Sequence, residues 1–142
     1  MMHVAVLRAR HIDEMLAGRK TVESRLSRVR CAPFGKVAQG DIIYIKESSG
    51  DHRAMARARR ILTFTDLTPR RVLDLKRQYN KSICGPDAYW REKRSARFAT
   101  LIWLDGVEPV SAGPVIPKLY GRAWICLDSA VNASGKSDAL AA

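Results

Sequence analysis

The sequence predicts an α+β fold: a small mixed β-barrel, closed or nearly so, with helices inserted between its strands and capping it. Three observations lead there. The chain of 142 residues is long enough for one compact domain and too short for two ordinary ones. Segments with a two-residue or continuous apolar period outnumber segments with a helical period. The helical segments do not alternate with the strands one for one, which argues against a doubly wound parallel sheet.

Each element follows from its own pattern. Residues 3–9 (HVAVLRA) place Val4 and Val6 on one side and Ala5 and Leu7 on the other, as in a strand buried on both faces. Ile12, Met15 and Leu16 then fall at helical spacing, and Gly18 suits the left-handed residue that ends a helix. A second strand starts at Thr21. Its alternation groups Lys20, Val22, Ser24 and Leu26 on one face and Thr21, Glu23 and Arg25 on the other. Turn signals at Pro33, Gly35 and Gly40 precede a strand over 42–46, and a Ser-Ser-Gly turn ends it.

In RAMARARRILTF, Ala54, Ala56 and Ala58 share one side and Arg53, Arg57 and Arg59 the other, a strand with a slim inner face and a basic outer one. A helix would instead make Arg53, Arg57 and Arg60 neighbours; the Ile-Leu-Thr-Phe that follows favours the strand. Thr68 and Pro69 form an N-cap and first helical residue, opening a helix over 69–79 with Val72, Leu75 and Tyr79 on one face. A short helix begins at Pro86, with Asp87 in its first turn and Arg91, Lys93 and Arg94 in its last, and it carries Tyr89 and Trp90. Residues 98–104 are apolar on both faces, Asp105-Gly106 reads as a hairpin turn into a strand near 107–111, and a last strand covers 122–127. The domain is expected to span 1–128, with 129–142 as a small, polar, mobile tail.

Composition narrows the function classes. The hydrophobic share of 46% and charged share of 27% are those of a globular protein, and no window approaches the apolar length needed to cross a bilayer. The N-terminal segment is interrupted by His3, Arg8 and Arg10 and offers no cleavage site, so no secretory signal is read and a cytoplasmic location is expected. Cys31, Cys84 and Cys126 lie far apart, and His3, His11 and His52 show no ligand spacing; neither a metal nor a cofactor is expected. Lys plus Arg number 25 against 14 Asp plus Glu, a net charge of +11, the footprint of a phosphate-rich partner with nucleic acid foremost. No predicted helix joins a basic face to a large apolar one, so no membrane partner is expected. Oligomeric state is not legible.

The strings HIDEMLAGRKTVESR, GKVAQGDIIYIK, ARFATLIWLDGVEPV and YGRAWICL carry a resemblance over roughly residues 3–127. A helix, then Gly-x-Lys-Thr-x-Glu-x-Arg, then Gly-Asp before a strand is similar to the ASCH domain family of the PUA-like superfamily. The resemblance implies a β-barrel with a cleft facing the cluster, binding RNA or a modified nucleobase or nucleoside. Some members are hydrolases: one branch deacetylates a modified cytidine and another is described as a ribonuclease. The amidohydrolase branch resembles this chain at Lys20 but has threonine where Glu23 stands, and its further acidic residue lies in the helical insert, where this chain offers Asp74, Asp87 and Glu92.

Residue chemistry gives the same cluster two readings. In one, Lys20 supplies a point charge for phosphate, Arg25 a planar fork for phosphate or a base edge, and Glu23 accepts from the amino or imino groups of a base. Thr21 belongs to the same string, Lys46 and Ser48 would border the cleft if their strand were a neighbour, and Tyr89 and Trp90 would stack a base. Arg57 and Arg59, with Arg53, Arg70, Arg71 and Arg91, would form a track for phosphates. In the other reading Glu23 and Arg25 are a salt bridge orienting the barrel mouth, while Trp103 and Trp124 belong to the core. A hydrolase would use Lys20 and Glu23 as a base and acid pair, or His11 with His52. RNA, DNA and free nucleoside are not separated by sequence.

Overall fold

The computed structural model describes residues 1–116 and 122–127; the tail expected over 129–142 lies outside the described residues. In chain order the elements are β1 (Met2–Leu7), α1 (Ala9–Leu16), β2 (Val22–Ser27), β3 (Ile42–Glu47), β4 (His52–Phe64), α2 (Pro69–Ile83), α3 (Asp87–Glu92), β5 (Phe98–Pro109) and β6 (Trp124–Leu127). The strands form one six-stranded sheet in the order β2-β5-β4-β3-β1-β6. Only β1 and β3 run parallel; the other pairs are antiparallel. The sheet curls into a half-barrel with the helices against it, the expected α+β architecture.

Two apolar cores flank the sheet. On one face, Ile12 and Met15 of α1 pack with Ala5, Ile43, Ile45, Ile102 and Leu104. The alanine row Ala54, Ala56 and Ala58 of β4 is buried there, as its alternation predicts, and its small side chains leave the volume that α1 fills. On the other face, Val22, Leu26, Ala99 and Leu101 of β2 and β5 meet Val72, Leu75 and Ile83 of α2 and Trp90 of α3. That second core explains why 98–104 is apolar on both faces: β5 is covered on both sides. No helix among the described residues is long and apolar enough to cross a membrane.

The helix begun by Thr68 and Pro69 is capped as expected, the Thr68 hydroxyl accepting from Arg71 N at 3.2 Å. It runs past 79 to Ile83, because Ile83 returns to the buried face, and stops at Cys84 in the left-handed region (φ 62). Asn80 then holds the turn into α3. Its Oδ1 accepts from Gly85 N at 2.8 Å and from the Trp90 indole N–H at 2.9 Å, while its Nδ2 donates to Gly85 O at 2.9 Å.

The hairpin read at Asp105-Gly106 is not there. β5 continues through these residues to Pro109 and stays paired with β4. Met55 and Arg57 face Glu108 and Asp105, so β5 carries one residue more than β4 over this step, a β-bulge with Gly106 at φ 61. A bulge and a tight turn ask the same positive φ of glycine, which is why the local signal did not distinguish them.

A buried polar knot fixes the other edge. The Trp124 indole N–H donates to His3 Nδ1 at 3.1 Å, which leaves His3 Nε2 to donate to Asp41 Oδ2 at 2.8 Å. Asp41 also accepts from Ala38 N at 2.9 Å and from the Met1 ammonium at 3.0 Å. Burial pushes its carboxyl up, but these hydrogen bonds outweigh burial and hold it below the usual aspartate range. The Gly-Asp step before β3 therefore joins β1, β3 and β6.

Asn80→Ala removes the partners of the Trp90 indole and of Gly85. It is expected to lower the unfolding free energy by about 1–3 kcal/mol in chemical denaturation, and an unchanged midpoint would show that water replaces the amide.

Candidate functional site

β2 lies at an edge of the sheet, and the GRKTVESR string forms its entry and its first four residues. Lys20 precedes the strand, and its long stem folds back so that Nζ donates to Val22 O (3.1 Å), Ile83 O (3.0 Å) and Glu23 Oε1 (3.1 Å). Three acceptors meet three N–H donors, and the side chain is 4% exposed. The strict alternation that put Lys20 and Glu23 on opposite faces does not apply, because Lys20 lies outside the pleat.

Glu23 passes the contact on. Its Oε2 accepts from Arg25 Nε at 2.6 Å. Arg25 donates to Ala123 O (3.1 Å) beside β6 and to Val6 O (3.3 Å) in β1, with its guanidinium carbon 5.2 Å from the Trp124 ring centre. Burial pushes the Glu23 carboxyl up, but the charges of Lys20 and Arg25 and the hydrogen bonds from both overcome it and hold the group below the usual glutamate range.

Above this chain of charges opens a cleft of about 700 Å³. Lys20 and Glu23 lie at its floor. Ser24, Tyr89 and Pro86 form a wall, and Arg8, Arg10, His11, Arg25, Glu92 and Lys93 are among the other lining residues. The hydroxyls of Ser24 and Tyr89 share a 2.8 Å hydrogen bond, and burial pushes the Tyr89 phenol up to about 12, so it stays protonated. Lys93 Nζ stands 5.9 Å from the Tyr89 ring centre. Burial pushes the His11 imidazole down; the charge of Lys20 adds to this, Glu23 opposes it, and Arg10 and Arg8 contribute further lowering. His11 is therefore mainly neutral at pH 7.

Several expected site residues are elsewhere. Thr21 is exposed and outside the cleft, its backbone N–H bonded to Ser82 O. Lys46 and Ser48 end β3, which is not a neighbour of β2, and neither lines the cleft. Trp90 is a core plug with its indole held by Asn80, so it offers no stacking face; Tyr89 does line the cleft. Arg25 does line the cleft, with three of its five N–H groups donated to protein acceptors. Arg57 donates to Gly40 O at 3.0 Å, and Arg59 lines a different cleft. Arg53 is paired with Asp13 and Glu47, and Arg70, Arg71 and Arg91 are exposed and do not line the cleft. His52 contacts Pro114 O and is not brought to His11.

Of the carboxylates offered by the helical insert, Asp74 pairs with Arg77 and Asp87 with Lys76, and Glu92 alone lines the cleft. The residues that pattern reading missed are Arg8, Arg10, Ser24 and Lys93. The run RARH at positions 8–11, spanning a strand-to-helix junction, was the available signal for the first two.

This half-barrel fold has counterparts of known structure. The ASCH protein from Zymomonas mobilis aligns with a TM-score of 0.59 and 21% identity over 76% of this chain and 69% of that one. A serine-to-alanine mutant of that protein aligns with a TM-score of 0.63 and 18% identity over 90% and 89%, and a tyrosine-to-phenylalanine mutant with 0.61 and 21% over 76% and 71%. The fold is that of the ASCH domain. No protein-family model matches the sequence, and no curated protein matches it. At these identities the ASCH likeness concerns the backbone, so the chemistry of the cleft rests on the residues present here.

Two outcomes are expected of the ionic chain in this ASCH fold. Glu23→Gln leaves the buried Lys20 and the partly buried Arg25 without their counter-ion and should cost about 3–5 kcal/mol in denaturant unfolding. Because the folded Glu23 carboxyl lies below its ordinary value of 4.5, its stabilisation is fully present above that pH and is lost as the pH falls through the folded value. The wild type should thus lose stability more steeply than Glu23→Gln below about pH 4.5; parallel acid profiles would contradict the coupling.

Proposed function

We propose that the cleft over Lys20, Glu23 and Arg25 binds RNA or a modified nucleoside, with the base directed to the floor and phosphate at the rim. The observation that carries this reading is the pairing of a buried, charge-fixed floor with a rim bearing Arg8, Arg10 and Lys93. A carboxylate has about four acceptor positions, and Lys20 and Arg25 occupy two of those on Glu23. The others suit the exocyclic amine of cytosine or the imino and amino groups of guanine. Ser24 adds a hydroxyl on the wall, and the Tyr89 ring lies beside it. The rim cations match the phosphate of the same nucleotide.

Hydrolysis of a modified nucleoside or of RNA is the second reading, and one observation favours it: His11, neutral at pH 7, lines the same cleft. It is better suited to proton transfer than Lys20, whose three donors are all engaged.

Titrating labelled single-stranded RNA and a panel of modified nucleosides across a salt series, with product analysis on the same samples, tests both. Arg8→Ala/Arg10→Ala/Lys93→Ala is expected to weaken RNA binding and reduce the log–log salt slope by about 2, from roughly 0.7 per lost phosphate contact. Turnover that disappears in His11→Ala would assign an enzyme. Binding of neither ligand by the wild type would overturn the reading.

A further inference from the structure

β4 carries a second irregularity, outside the Lys20 cleft. Ala58 pairs with Leu104 and Arg60 with Trp103, so Arg59 is an extra residue on β4. In an unbroken strand consecutive side chains point to opposite faces, and one of these two arginines would be directed inward. The bulge leaves both exposed. With Ile61 and the turn residues Val37, Ala38 and Gln39 they line a cleft of about 580 Å³.

The two arginines differ from their neighbours in their partners. Arg53 is satisfied by Asp13 and Glu47, and Arg57 donates to Gly40 O and faces Asp105 across the ladder. Arg59 and Arg60 make no ion pair with any described carboxylate. Arg60 is held over Trp103, its guanidinium carbon 4.7 Å from the ring centre, and Tyr79 supports that ring edge-on at 5.5 Å. Adjacent like charges repel unless an anion lies between them. A guanidinium steadied on an indole is also a plane on which a base stacks.

We infer that the β4 bulge is a second nucleic-acid contact, at which Arg59 and Arg60 hold successive phosphates of a single strand and a base stacks against Arg60. The inference rests on the reading of the Lys20 cleft as a nucleic-acid site and narrows it: the ligand is a polynucleotide rather than a free nucleoside. Val22, whose carbonyl binds Lys20, Trp103 and Arg60 occupy one cross-strand row. Two interstrand steps, about 10 Å, separate the backbones of Val22 and Arg60.

The test compares a labelled single-stranded RNA 12-mer with a mononucleotide, in the wild type, Arg59→Ala/Arg60→Ala and Arg59→Lys/Arg60→Lys. For the alanine variant, 12-mer affinity is expected to fall about tenfold and the salt slope by about 1.4, with mononucleotide binding unchanged. The lysine variant should recover the slope without the full affinity, since it restores charge but not the stacking plane. A 12-mer affinity and slope unchanged in the alanine variant, with wild-type mononucleotide binding intact, would overturn the second contact alone. Wild-type protein that binds neither ligand would overturn the Lys20 reading and this one together. Polyglutamate competing as well as RNA would overturn the assignment to nucleic acid.

Discussion

The chain of contacts from Lys20 through Glu23 to Arg25 holds the edge of this half-barrel in place. Among the described residues the curled six-stranded sheet has two edges, β2 and β6, whose outer backbone groups no described strand pairs. Arg25 spans them by donating to the carbonyls of Ala123 and Val6 while lying over Trp124. Glu23 aims Arg25, and Lys20 anchors Glu23 to the end of α2 through Ile83 O. Lys20 and Glu23 are buried as a pair, and Arg25 meets Glu23 from the partly exposed side. The density of charge in GRKTVESR is therefore first a closure device, and the cleft exists where that closure leaves a gap.

The same arrangement separates the basic residues into two kinds. Some are engaged internally: Lys20 and Arg25 in the floor, Arg53 between Asp13 and Glu47, Lys76 with Asp87. Others line openings: Arg8, Arg10 and Lys93 the cleft over Glu23, Arg59 and Arg60 the bulge of β4. A net charge of +11 does not by itself create a site, but cations gathered around two concave surfaces concentrate the potential where a polyanion would meet it. The His3–Asp41–Trp124 knot stands apart from both. Its groups satisfy one another, and it serves the register of β1, β3 and β6.

Local pattern was informative wherever one residue's neighbours in sequence are its neighbours in space. The Thr68-Pro69 start of α2, the alanine row of β4 and the doubly apolar stretch of β5 all follow from caps and periodicity. Pattern failed where a short-range signal has two tertiary outcomes. Gly106 reads as a turn and serves as a bulge; Trp90, next to Tyr89 on one helix turn, faces the core while Tyr89 faces the cleft. Alternation groups Ser24 with Lys20, Val22 and Leu26 on one strand face and gives it no role, yet at this edge strand it meets Tyr89 of α3 and lines the cleft.

Periodicity, capping and composition were enough for the fold class, the order and approximate limits of most elements, the excess of positive charge and the cluster Lys20, Glu23 and Arg25. The work that cluster does came from long-range contacts instead. Strand order removed Lys46 and Ser48 from the cleft, the curl brought Arg25 to β1 and β6, and a single extra residue turned Arg59 and Arg60 outward together. Those outcomes depend on which distant backbone groups meet, and no spacing along the chain encodes that meeting.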